Sequence, residues 1–432
     1  MAIIPCLKRA IFDLFYLLCV PVLFLYTLFA PKRRDTLIWG PVPIINNKYW
    51  SDAMKRVGYR SCTFMEGYLS INKESDFDLY FHDVVPRFCV GPIRELTKYF
   101  FAFCYILRHA SVVHISFYGG PLGRTSCWKF EAYLLKLAGI KSLVIPYGED
   151  AYMYSKVMDT TLRHALLLSY PDAARNEAVI VEHVMYWVRN ADIIINGVMF
   201  DGIGRWDVPI PQTITVDTHI WQPKKEYSGN DGRTGLVKIL HTPNHRGFKG
   251  TEFLVTAIDE LKREGFKVEL VLCEKVPNCV VQETMQTVDI LAEQFIFSGY
   301  ALSGIEGMAS GLPVLANLEN PIYTRIFRLY GYLTECPILS TTPETLKENL
   351  RVLVTHPELR EQLGRAGRKY VEKYHSEETA QYLFGSIYRK ILHGEDVDLM
   401  NLYHPLKSEY NRRKSVIDHP LHENKLPGEY YR

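Results

Sequence analysis

The sequence lacks the cysteine spacings that are typical of zinc sites and disulfide-rich scaffolds. None of its nine cysteines forms a CxxC pair, their number is odd, and the chain has 432 residues. We therefore expect free thiols in a reducing compartment. The sequence also has no Asn-x-Ser/Thr sequon, which is consistent with a cytosolic face.

An excess of charge of one sign is also missing, because 50 Lys and Arg nearly balance 48 Asp and Glu. No basic stripe with interleaved aromatics stands out, so we expect no nucleic-acid partner. No convincing carboxylate cluster is visible either. Asp76 and Asp78 form a DxD pair, but hard metal ions need more oxygen ligands than two. The sequence therefore predicts no metal and no bound cofactor.

An apolar N-terminal segment, residues 14–30, is free of charge and flanked by cations on both sides. Its 17 residues span about 25 Å as a helix, the lower limit for crossing a bilayer. A cleavable signal peptide fits poorly, because Leu28 is not a small residue. A buried core helix is the other alternative, and a run that is apolar on every face argues against it. We expect a membrane anchor over 10–31. Pro21 favours a kink, so a re-entrant helix and a tilted span both stay open, with the domains facing the cytoplasm.

Alternating strand and helix patterns follow the anchor and predict parallel sheets covered by helices. We expect an N-terminal Rossmann-like domain over 35–220, a crossing rich in Pro and Gly at 209–211 and 221–232, a second such domain over 233–392, and a polar surface tail over 393–432. Predicted strands lie at 36–39, 61–65, 112–117, 142–146, 192–195, 213–216, 237–241, 268–273, 290, 295–297 and 313–316. Predicted helices lie at 96–107, 127–137, 173–188, 251–264, 280–287, 305–310, 343–355 and 357–374.

The segment HTPNHRGFKGT at 241–251 joins the end of a buried strand to the start of a helix. Free backbone N–H groups and the positive end of the helix would then lie beside Arg246 and Lys249. Arg246 can bind phosphate oxygens in a bidentate manner, and Lys249 adds a point charge. This pattern predicts a diphosphate site, although a solvated basic loop explains it equally well.

A second segment, SGYALSGIEGMASGLPV at 298–314, is rich in small residues, which let a backbone approach a ligand closely. Glu306 is expected on a short helix, where its carboxylate can accept hydrogen bonds from two ribose hydroxyls. A charge partner for the helix N-terminus is the alternative.

These segments resemble the nucleotide-binding domain of family-four GT-B glycosyltransferases. KGTEFLVTAIDEL, EGMASGLPVLAN and LREQLGRAGRKYVEKYHS are similar, in order, to three segments of that family, and the resemblance covers residues 236–392. It implies an α/β GT-B fold with two Rossmann-like domains facing a cleft. It also implies a nucleotide-sugar donor as co-substrate, retention of anomeric configuration, and donor-binding residues, which are Arg246, Lys249, Gly250, Gly299, Tyr300 and Glu306.

The first half resembles the family less closely. IPYGEDA at 145–151 is similar to a family strand that ends in His-Gly-x-Asp, and VDTHIWQP at 216–223 to the segment joining the domains. The resemblance implies acceptor-side candidates, which are Gly40, Tyr147, Gly148 and Glu149. His114 is expected in the core. Gly119 and Gly120 either line the cleft or turn the chain.

Two positions depart from the family pattern. Ser298 replaces the first of two paired glutamates, of which Glu306 is the second, so the handling of the donor sugar is open. Tyr147 replaces the family histidine and is a poor base at its ordinary pKa. Asp150, or the departing phosphate, then becomes the better candidate for activating the acceptor, and the expected catalytic set is Asp150, Arg246, Lys249 and Glu306.

The resemblance and the anchor together imply a glycosyltransferase that acts on a membrane-associated glycan or lipid-linked acceptor, in the synthesis of a cell-surface polysaccharide or glycoconjugate. Two alternatives stay open. One is a degenerate GT-B protein that binds a sugar or a partner without catalysis. The other is a nucleotide-sugar epimerase of the same architecture, which would need no membrane segment.

Overall fold

The computed structural model describes residues 3–197, 200–209, 213–330, 332–413 and 416–431. Part of the predicted crossing, residues 210–212, lies outside this range. The chain divides into two compact units. Unit 1 consists of Met1–Met153, Asn176–Pro209 and Gln381–Met400, and unit 2 of Tyr154–Arg175, Ile210–Ala380 and Asn401–Arg432.

Twelve strands are described. They are β1 Thr36–Trp39, β2 Arg60–Met65, β3 Leu79–Tyr80, β4 Ala110–Ile115, β5 Lys141–Val144, β6 Ile193–Asn196, β7 Val208–Pro209, β8 Val237–His241, β9 Val268–Leu272, β10 Ile290–Gln294, β11 Val314–Ala316 and β12 Leu339–Ser340.

The α-helices in the described residues are α1 Ile3–Leu28, α2 Ile45–Arg56, α3 Gly91–His109, α4 Glu131–Ala138, α5 Thr160–Ser169, α6 Pro171–Arg175, α7 Glu177–Asn190, α8 Arg246–Lys249, α9 Thr251–Arg263, α10 Asn278–Met285, α11 Leu302–Ala309, α12 Pro321–Leu329, α13 Leu346–Thr355, α14 Pro357–Tyr374, α15 Glu377–His393 and α16 Glu409–Arg413.

Unit 1 contains a parallel seven-stranded sheet in the order β3-β2-β1-β4-β5-β6-β7. The chain builds from β1 outwards to β3 and then crosses to β4 on the other side of β1. In open α/β sheets, ligands bind at the carboxyl ends of the strands where the order reverses in this way. The switch point of unit 1 is therefore the β1–β4 pair, which is followed by Gly40 and Ser116.

Unit 2 contains a parallel five-stranded sheet in the order β12-β11-β10-β8-β9. Its core includes α9, α13 and α14, which place Leu254, Leu350 and Leu363 against the strands. The chain runs from β8 to β9 and then crosses to β10 on the other side of β8. The switch point of unit 2 is therefore the β8–β10 pair.

The apolar N-terminal segment forms one continuous helix, α1, in unit 1. Residues Lys8–Leu28 are long and apolar enough to cross a membrane, judged by length and composition. Pro21 lies inside the helix but does not end it, so the break that a re-entrant arrangement would use is not observed.

The predicted strand at 213–216 is wrong, because these residues have no regular secondary structure. The apolar residues of this segment pack without forming a strand. Val216 is buried and donates its backbone N–H to the carbonyl oxygen of His375 at 2.9 Å. Backbone pairing with a helix end thus replaces a strand partner.

The prediction of a polar surface tail over 393–432 is also wrong. Leu402, Leu421 and Leu426 are buried in unit 2, and Leu421 and Leu426 belong to the core around α9 and α13. Asn424 bonds the carbonyl oxygens of Cys336 and Ile338 at 2.8 and 3.2 Å. These anchors are too irregularly spaced to produce a periodic pattern. Residues 414–415 and 432 lie outside the described part of the chain.

The two units are built from separate segments and not from the contiguous ranges that were predicted for the two domains. Tyr154–Arg175, expected in the first domain, belongs to unit 2, and residues 381–393 of α15 belong to unit 1. In unit 2, a β-carbon on Gly247 would lie 3.7 Å from the side chain of Leu168 in α5, and the Tyr170 and His245 rings are 4.4 Å apart. The segment therefore packs beside α8.

Candidate functional site at the switch points of the two sheets

His241 joins the three elements that meet at the switch point of unit 2. Its ring nitrogens lie 2.6 Å from the carbonyl oxygen of Ala292 in β10 and 2.8 Å from the hydroxyl of Thr251, the first residue of α9. Burial lowers the pKa of His241 to about 4. The ring is therefore neutral at pH 7, donating to the carbonyl and accepting from the hydroxyl. It fixes the start of α9 relative to the strand ends.

Lys249 lies at the end of α8 with its ammonium group turned towards β10. The group donates to the carboxylate of Glu293 and, at 2.9 Å, to the side-chain oxygen of Gln294. The side chain of Lys249 is 8% exposed and that of Glu293 is fully buried. Gly250 follows in a left-handed conformation, φ +76°, which ends α8 and begins α9. The predicted cation is therefore at the switch point, but it is ion-paired.

Glu293 is a residue that the sequence analysis missed. Its Oε1 atom also accepts a hydrogen bond from the Ser303 hydroxyl of α11 at 3.0 Å. Its Oε2 atom is buried and has no hydrogen-bond partner among the described residues. A carboxylate in a buried strand, next to the strand end, was the available signal, since such a group is costly to bury without a partner.

Glu306 lies in α11, one turn after Ser303, so the two side chains project from the same face of the helix. Burial raises the pKa of the Glu306 carboxyl to about 8, and a hydrogen bond from Asn278 opposes this shift. Its Oε1 atom is buried and unpartnered within the described part of the chain. Unit 2 therefore holds two buried carboxyl groups beside β10, on β10 itself and on α11, each with one oxygen that lacks a donor among the residues that the structure describes.

Arg246 is placed differently from Lys249. Its guanidinium group is 42% exposed and contacts Glu252 at 2.8 Å and Glu274 at 3.0 Å. Hydrogen bonds that the guanidinium donates to these two carboxylates raise the pKa of Arg246, so the group is charged at every relevant pH. Arg246 thus lies at the surface of the loop, whereas Lys249 lies beneath it.

Gly299 and Ser298 form the turn after β10. Gly299 has φ +153°, and a β-carbon there would lie 2.6 Å from the ring of Phe297, so only glycine fits. The Ser298 hydroxyl donates to Asn317 at 2.9 Å and accepts from the backbone of Asn320 at 3.0 Å. Where the family has its first glutamate, this chain therefore has a serine that stabilises a turn.

Tyr300 is corrected as a side-chain ligand. Its ring is 2% exposed, and its hydroxyl lies 2.8 Å from that of Tyr370 and 3.0 Å from Nε2 of His375. The phenol belongs to a buried network between α11 and α14, because the turn at Gly299 directs it inwards. Only the backbone of Tyr300 remains a candidate for donor binding.

In unit 1, Gly40 and Tyr147 line one small concavity at the carboxyl ends of β1, β4 and β5. Gly40 has φ +152°, and a β-carbon there would lie 2.1 Å from the carbonyl oxygen of Phe64. Val42, Asn47 and Trp50 contribute further to the lining. The structure therefore brings two of the predicted acceptor-side residues together at the switch point.

Asp150 is corrected as an acceptor-activating base. It is fully buried and accepts backbone N–H bonds from Phe117, Tyr147 and Gly148, each at 3.0 Å. Burial raises its pKa to about 6 against the opposing effect of these amides. A carboxylate enclosed by backbone amides does not reach a substrate hydroxyl, so Asp150 positions the loops after β4 and β5.

Tyr147 and Glu149 lie in the loop that Asp150 holds. The Tyr147 side chain is half-buried, and burial together with the nearby Asp150 and Glu149 carboxylates raises its pKa well above the ordinary value. Its hydroxyl therefore stays protonated and can donate a hydrogen bond. Glu149 is exposed, and Gly148, with φ +150°, shapes the turn between them.

Gly119 and Gly120 turn the chain around a buried carboxyl group, that of Glu131. Gly120 donates its N–H to Glu131 at 3.1 Å, and a β-carbon on Gly120 would lie 2.4 Å from Oε1 of Glu131. Burial raises the pKa of Glu131 to about 8. His114 is buried, as predicted, with Nδ1 lying 3.0 Å from the carbonyl oxygen of Ile38.

The DxD pair has separate structural partners. Asp78 binds Lys55 at 2.9 Å and the backbone N–H of Thr63 at 2.9 Å. Asp76 accepts the backbone N–H of Lys73 at 2.7 Å. No group of three or more His, Cys, Asp or Glu side chains placed to hold a metal occurs in the residues that the structure describes.

Comparison with known proteins gives a partial sequence match and extended structural matches. No family model matches the sequence. A region of 171 residues is 26% identical to an uncharacterised glycosyltransferase of Methanocaldococcus jannaschii, covering 34% of this chain and 46% of that protein. The match thus spans about half the length of the relative.

The first structural match is sucrose-phosphate synthase from Thermosynechococcus elongatus, with a TM-score of 0.52 and 14% identity over 84% of this chain and all of that one. WaaG, a glycosyltransferase involved in lipopolysaccharide biosynthesis, matches with a TM-score of 0.40 and 13% identity over 80% of this chain and 98% of that one. This protein has the GT-B fold, and its resemblance to GT-B glycosyltransferases is confirmed.

Proposed function

We propose that this protein is a glycosyltransferase that moves a sugar from a nucleotide-sugar donor to a membrane-associated glycan or lipid-linked acceptor, in the synthesis of a cell-surface polysaccharide or glycoconjugate. The GT-B fold and the glycosyltransferase relative support this class. One observation carries the proposal. Glu293 and Glu306 each present a buried carboxyl oxygen that has no donor in the described part of unit 2.

The ribose of the donor supplies the missing hydrogen-bond donors. Its two neighbouring hydroxyls match an acceptor-only carboxylate, and Glu306 is the group that binds them. The glycines at 250 and 299 allow the backbone to approach the nucleotide closely, because neither carries a side chain. Glu293 orients Lys249 and has one further oxygen for a sugar hydroxyl.

The departing nucleoside diphosphate needs positive charge beside it. The start of α9 offers backbone N–H groups, and Lys249 lies directly before it. Arg246, at the surface of the same loop, exchanges its contacts with Glu252 and Glu274 for phosphate oxygens. Charge stabilisation that is already in place when the sugar leaves is the main catalytic contribution. The reaction then proceeds with retention of configuration and without a metal ion.

The acceptor binds in unit 1, in the concavity that Gly40 and Tyr147 line. The Tyr147 hydroxyl donates a hydrogen bond to an oxygen of the acceptor, since its raised pKa keeps it protonated. With Asp150 enclosed by backbone amides, the departing phosphate takes the acceptor proton. The apolar helix α1 belongs to the same unit and holds the enzyme at the membrane, where a lipid-linked acceptor lies, with the domains on the cytoplasmic side.

A second candidate function is nucleotide-sugar binding without transfer. Both cations of the phosphate site are paired with carboxylates, Arg246 with Glu252 and Glu274 and Lys249 with Glu293. If these pairs persist when the donor binds, the leaving group receives no positive charge. Donor binding without any nucleoside diphosphate release would identify this case.

The test is a panel of nucleotide sugars screened for thermal stabilisation of the full chain, because a specific ligand raises apparent stability by mass action. We expect one donor to stabilise the wild-type protein and Glu306→Gln to weaken its affinity at least tenfold. Glu131→Gln is the matched control, since Glu131 is equally buried and its pKa is also raised to about 8, but it lies in unit 1. Equal affinity in both variants would remove Glu306 from the site.

A further inference from the structure

Helix α1 packs against the rest of unit 1 along one narrow stripe of its surface. Tyr16, Cys19, Leu23 and Thr27 are buried, and their spacing of three and four residues places them on one face of the helix. The Tyr16 hydroxyl donates to the carbonyl oxygen of Leu96 in α3 at 2.6 Å. The hydroxyl of Ser126, shortly before α4, donates to the carbonyl oxygen of Asp13 at 3.1 Å. The helix is thus attached sideways to the unit.

The chain stays attached to α3 and α4 just beyond the end of α1. Arg34, six residues after the helix, donates to the carbonyl oxygen of Leu107 near the end of α3, at 3.1 Å, and to that of Ala138 at the end of α4. Tyr16 of α1 contacts Leu96 near the start of α3, and Arg34, beyond the end of α1, contacts Leu107 near the end of α3. The chain therefore runs alongside α3 in the same direction. Protein therefore covers one side of α1 over most of its length.

The other side of α1 is apolar and exposed. Leu18 is 68% and Phe29 84% exposed, and other exposed residues on this side are Ile11, Leu14, Leu17, Val22, Leu25 and Leu28. On the neighbouring helix α4, Tyr133 is 57% exposed and Leu137 40%. So many exposed apolar side chains on neighbouring helices indicate an interaction site in a folded protein. We call the exposed residues of α1 together with Tyr133 and Leu137 the apolar face.

A helix docked in this way is unsuited to crossing a bilayer. Because α3 and α4 lie alongside it, crossing would carry Lys98 of α3 and Lys136 of α4 into hydrocarbon. Charged side chains within hydrocarbon are costly. Lying in the plane of the membrane keeps such cations near the headgroups, where a lysine side chain reaches water.

We propose that the apolar face lies flat in one leaflet of an anionic lipid bilayer, with both ends of α1 on the same side of the membrane. Charge complementarity identifies anionic lipid as the partner, because exposed cations flank the apolar face at both ends: Lys8 and Arg9 before it, Lys32 and Arg33 after it. Apolar burial and headgroup attraction then act together, as in other helices that lie at the interface. This inference rests on the proposed membrane attachment and not on the transferase chemistry.

The first experiment measures flotation of the full chain with vesicles of phosphatidylcholine alone or mixed with phosphatidylglycerol. The apolar face predicts that Val22→Asp and Tyr133→Asp each lower the vesicle-bound fraction at least fivefold. Val179→Asp on α7 is the control, since Val179 is 51% and Val22 52% exposed and both lie in unit 1. We expect wild-type binding to the neutral vesicles to be several-fold weaker.

The second experiment places one epitope tag at each end of the full chain in sealed vesicles and adds protease outside. A flat helix predicts that both tags are cleaved on the same molecules, whereas a spanning helix leaves one tag of each molecule protected. Protection of one tag would overturn the flat arrangement. It would also be overturned if the Tyr133→Asp variant bound vesicles as well as the wild-type protein does. No vesicle binding by the wild type would overturn membrane attachment itself. Donor stabilisation, measured on the same samples, reports separately on the proposed function.

Discussion

At the scale of single residues, burial decides what a carboxyl group can do in this protein. Asp150 is surrounded by three backbone amides and fixes loops. Glu131 supports a glycine turn through a hydrogen bond with Gly120. Glu306 is also buried, yet one of its oxygens lacks a partner among the described residues. The difference lies in unsatisfied hydrogen bonding, and it is why we assign ligand binding to Glu306 alone of these three.

The pKa of Glu306 leads to a prediction about pH. In the free protein this pKa is raised to about 8, so the group is mostly protonated at pH 7. Ribose hydroxyls that donate to it favour the ionised form, so donor binding releases a proton. The affinity for the nucleotide sugar should therefore rise as the pH increases from 6 to 8, by up to about tenfold per unit. Titration calorimetry in buffers of different ionisation enthalpy measures the released proton directly.

The control for the pH prediction is Glu306→Gln, whose weakened binding should be independent of pH across this range. Glu131→Gln should keep the wild-type slope, because the group it alters has no contact with the donor. An identical slope in wild type and Glu306→Gln would show that another group titrates, and Glu306 would then not bind the ribose in its ionised form.

Sequence patterns identified Lys249 but not the partner that holds it. Arg246, Lys249 and Gly250 are predicted by local spacing, since a strand end, a loop and a helix start follow each other along the chain. Glu293 becomes part of the site only when β10 pairs with β8, 44 residues after Lys249. The neighbouring residues of Glu293 in β10 do not form a motif with a recognisable spacing. The inward direction of Tyr300 likewise depends on the turn at Gly299.

At the scale of elements, strands with buried apolar residues were predicted well. β1 and β8 have the predicted bounds, and α14 begins and ends as expected. Residues 295–297 were expected to be a strand, but β10 ends at Gln294, because Asn317 bonds the backbone of Phe295 and turns the chain there. Apolar character alone does not separate a strand from a buried turn.

The C-terminal segment provides a prediction at this scale. Asn424 has φ +64°, and its side chain satisfies two buried carbonyl oxygens before β12. Asn424→Ala should destabilise unit 2 by about 1–3 kcal/mol, since it leaves these acceptors unpaired. Hydrogen exchange at Leu339 and Ser340 should quicken, while β4 in unit 1 exchanges as before. Glu429→Ala, an exposed change in the same segment, is the control, and equal exchange in both variants would show that the segment contributes no stability.

At the scale of the whole molecule, the two units are interleaved along the chain. Tyr154–Arg175 leaves the first half of the sequence to join unit 2, and Gln381–Met400 returns to unit 1. No local pattern marks these exchanges, because α5 and α15 look like ordinary amphipathic helices until their packing partners are known. Fragments cut at the predicted domain boundaries would each lack a piece of their own unit. The full chain is therefore the proper object for every test of function.

The most direct test of the central claim is release of nucleoside diphosphate from the stabilising nucleotide sugar by the full chain, measured with membranes as the acceptor source and a metal chelator present. We expect turnover to persist in chelator and to fall at least tenfold in Arg246→Ala. Arg365→Ala should leave it unchanged, since Arg365 is also an exposed, ion-paired arginine of unit 2. Absence of release with every donor, equal rates in the two variants, or complete and metal-reversible loss in chelator would contradict the account.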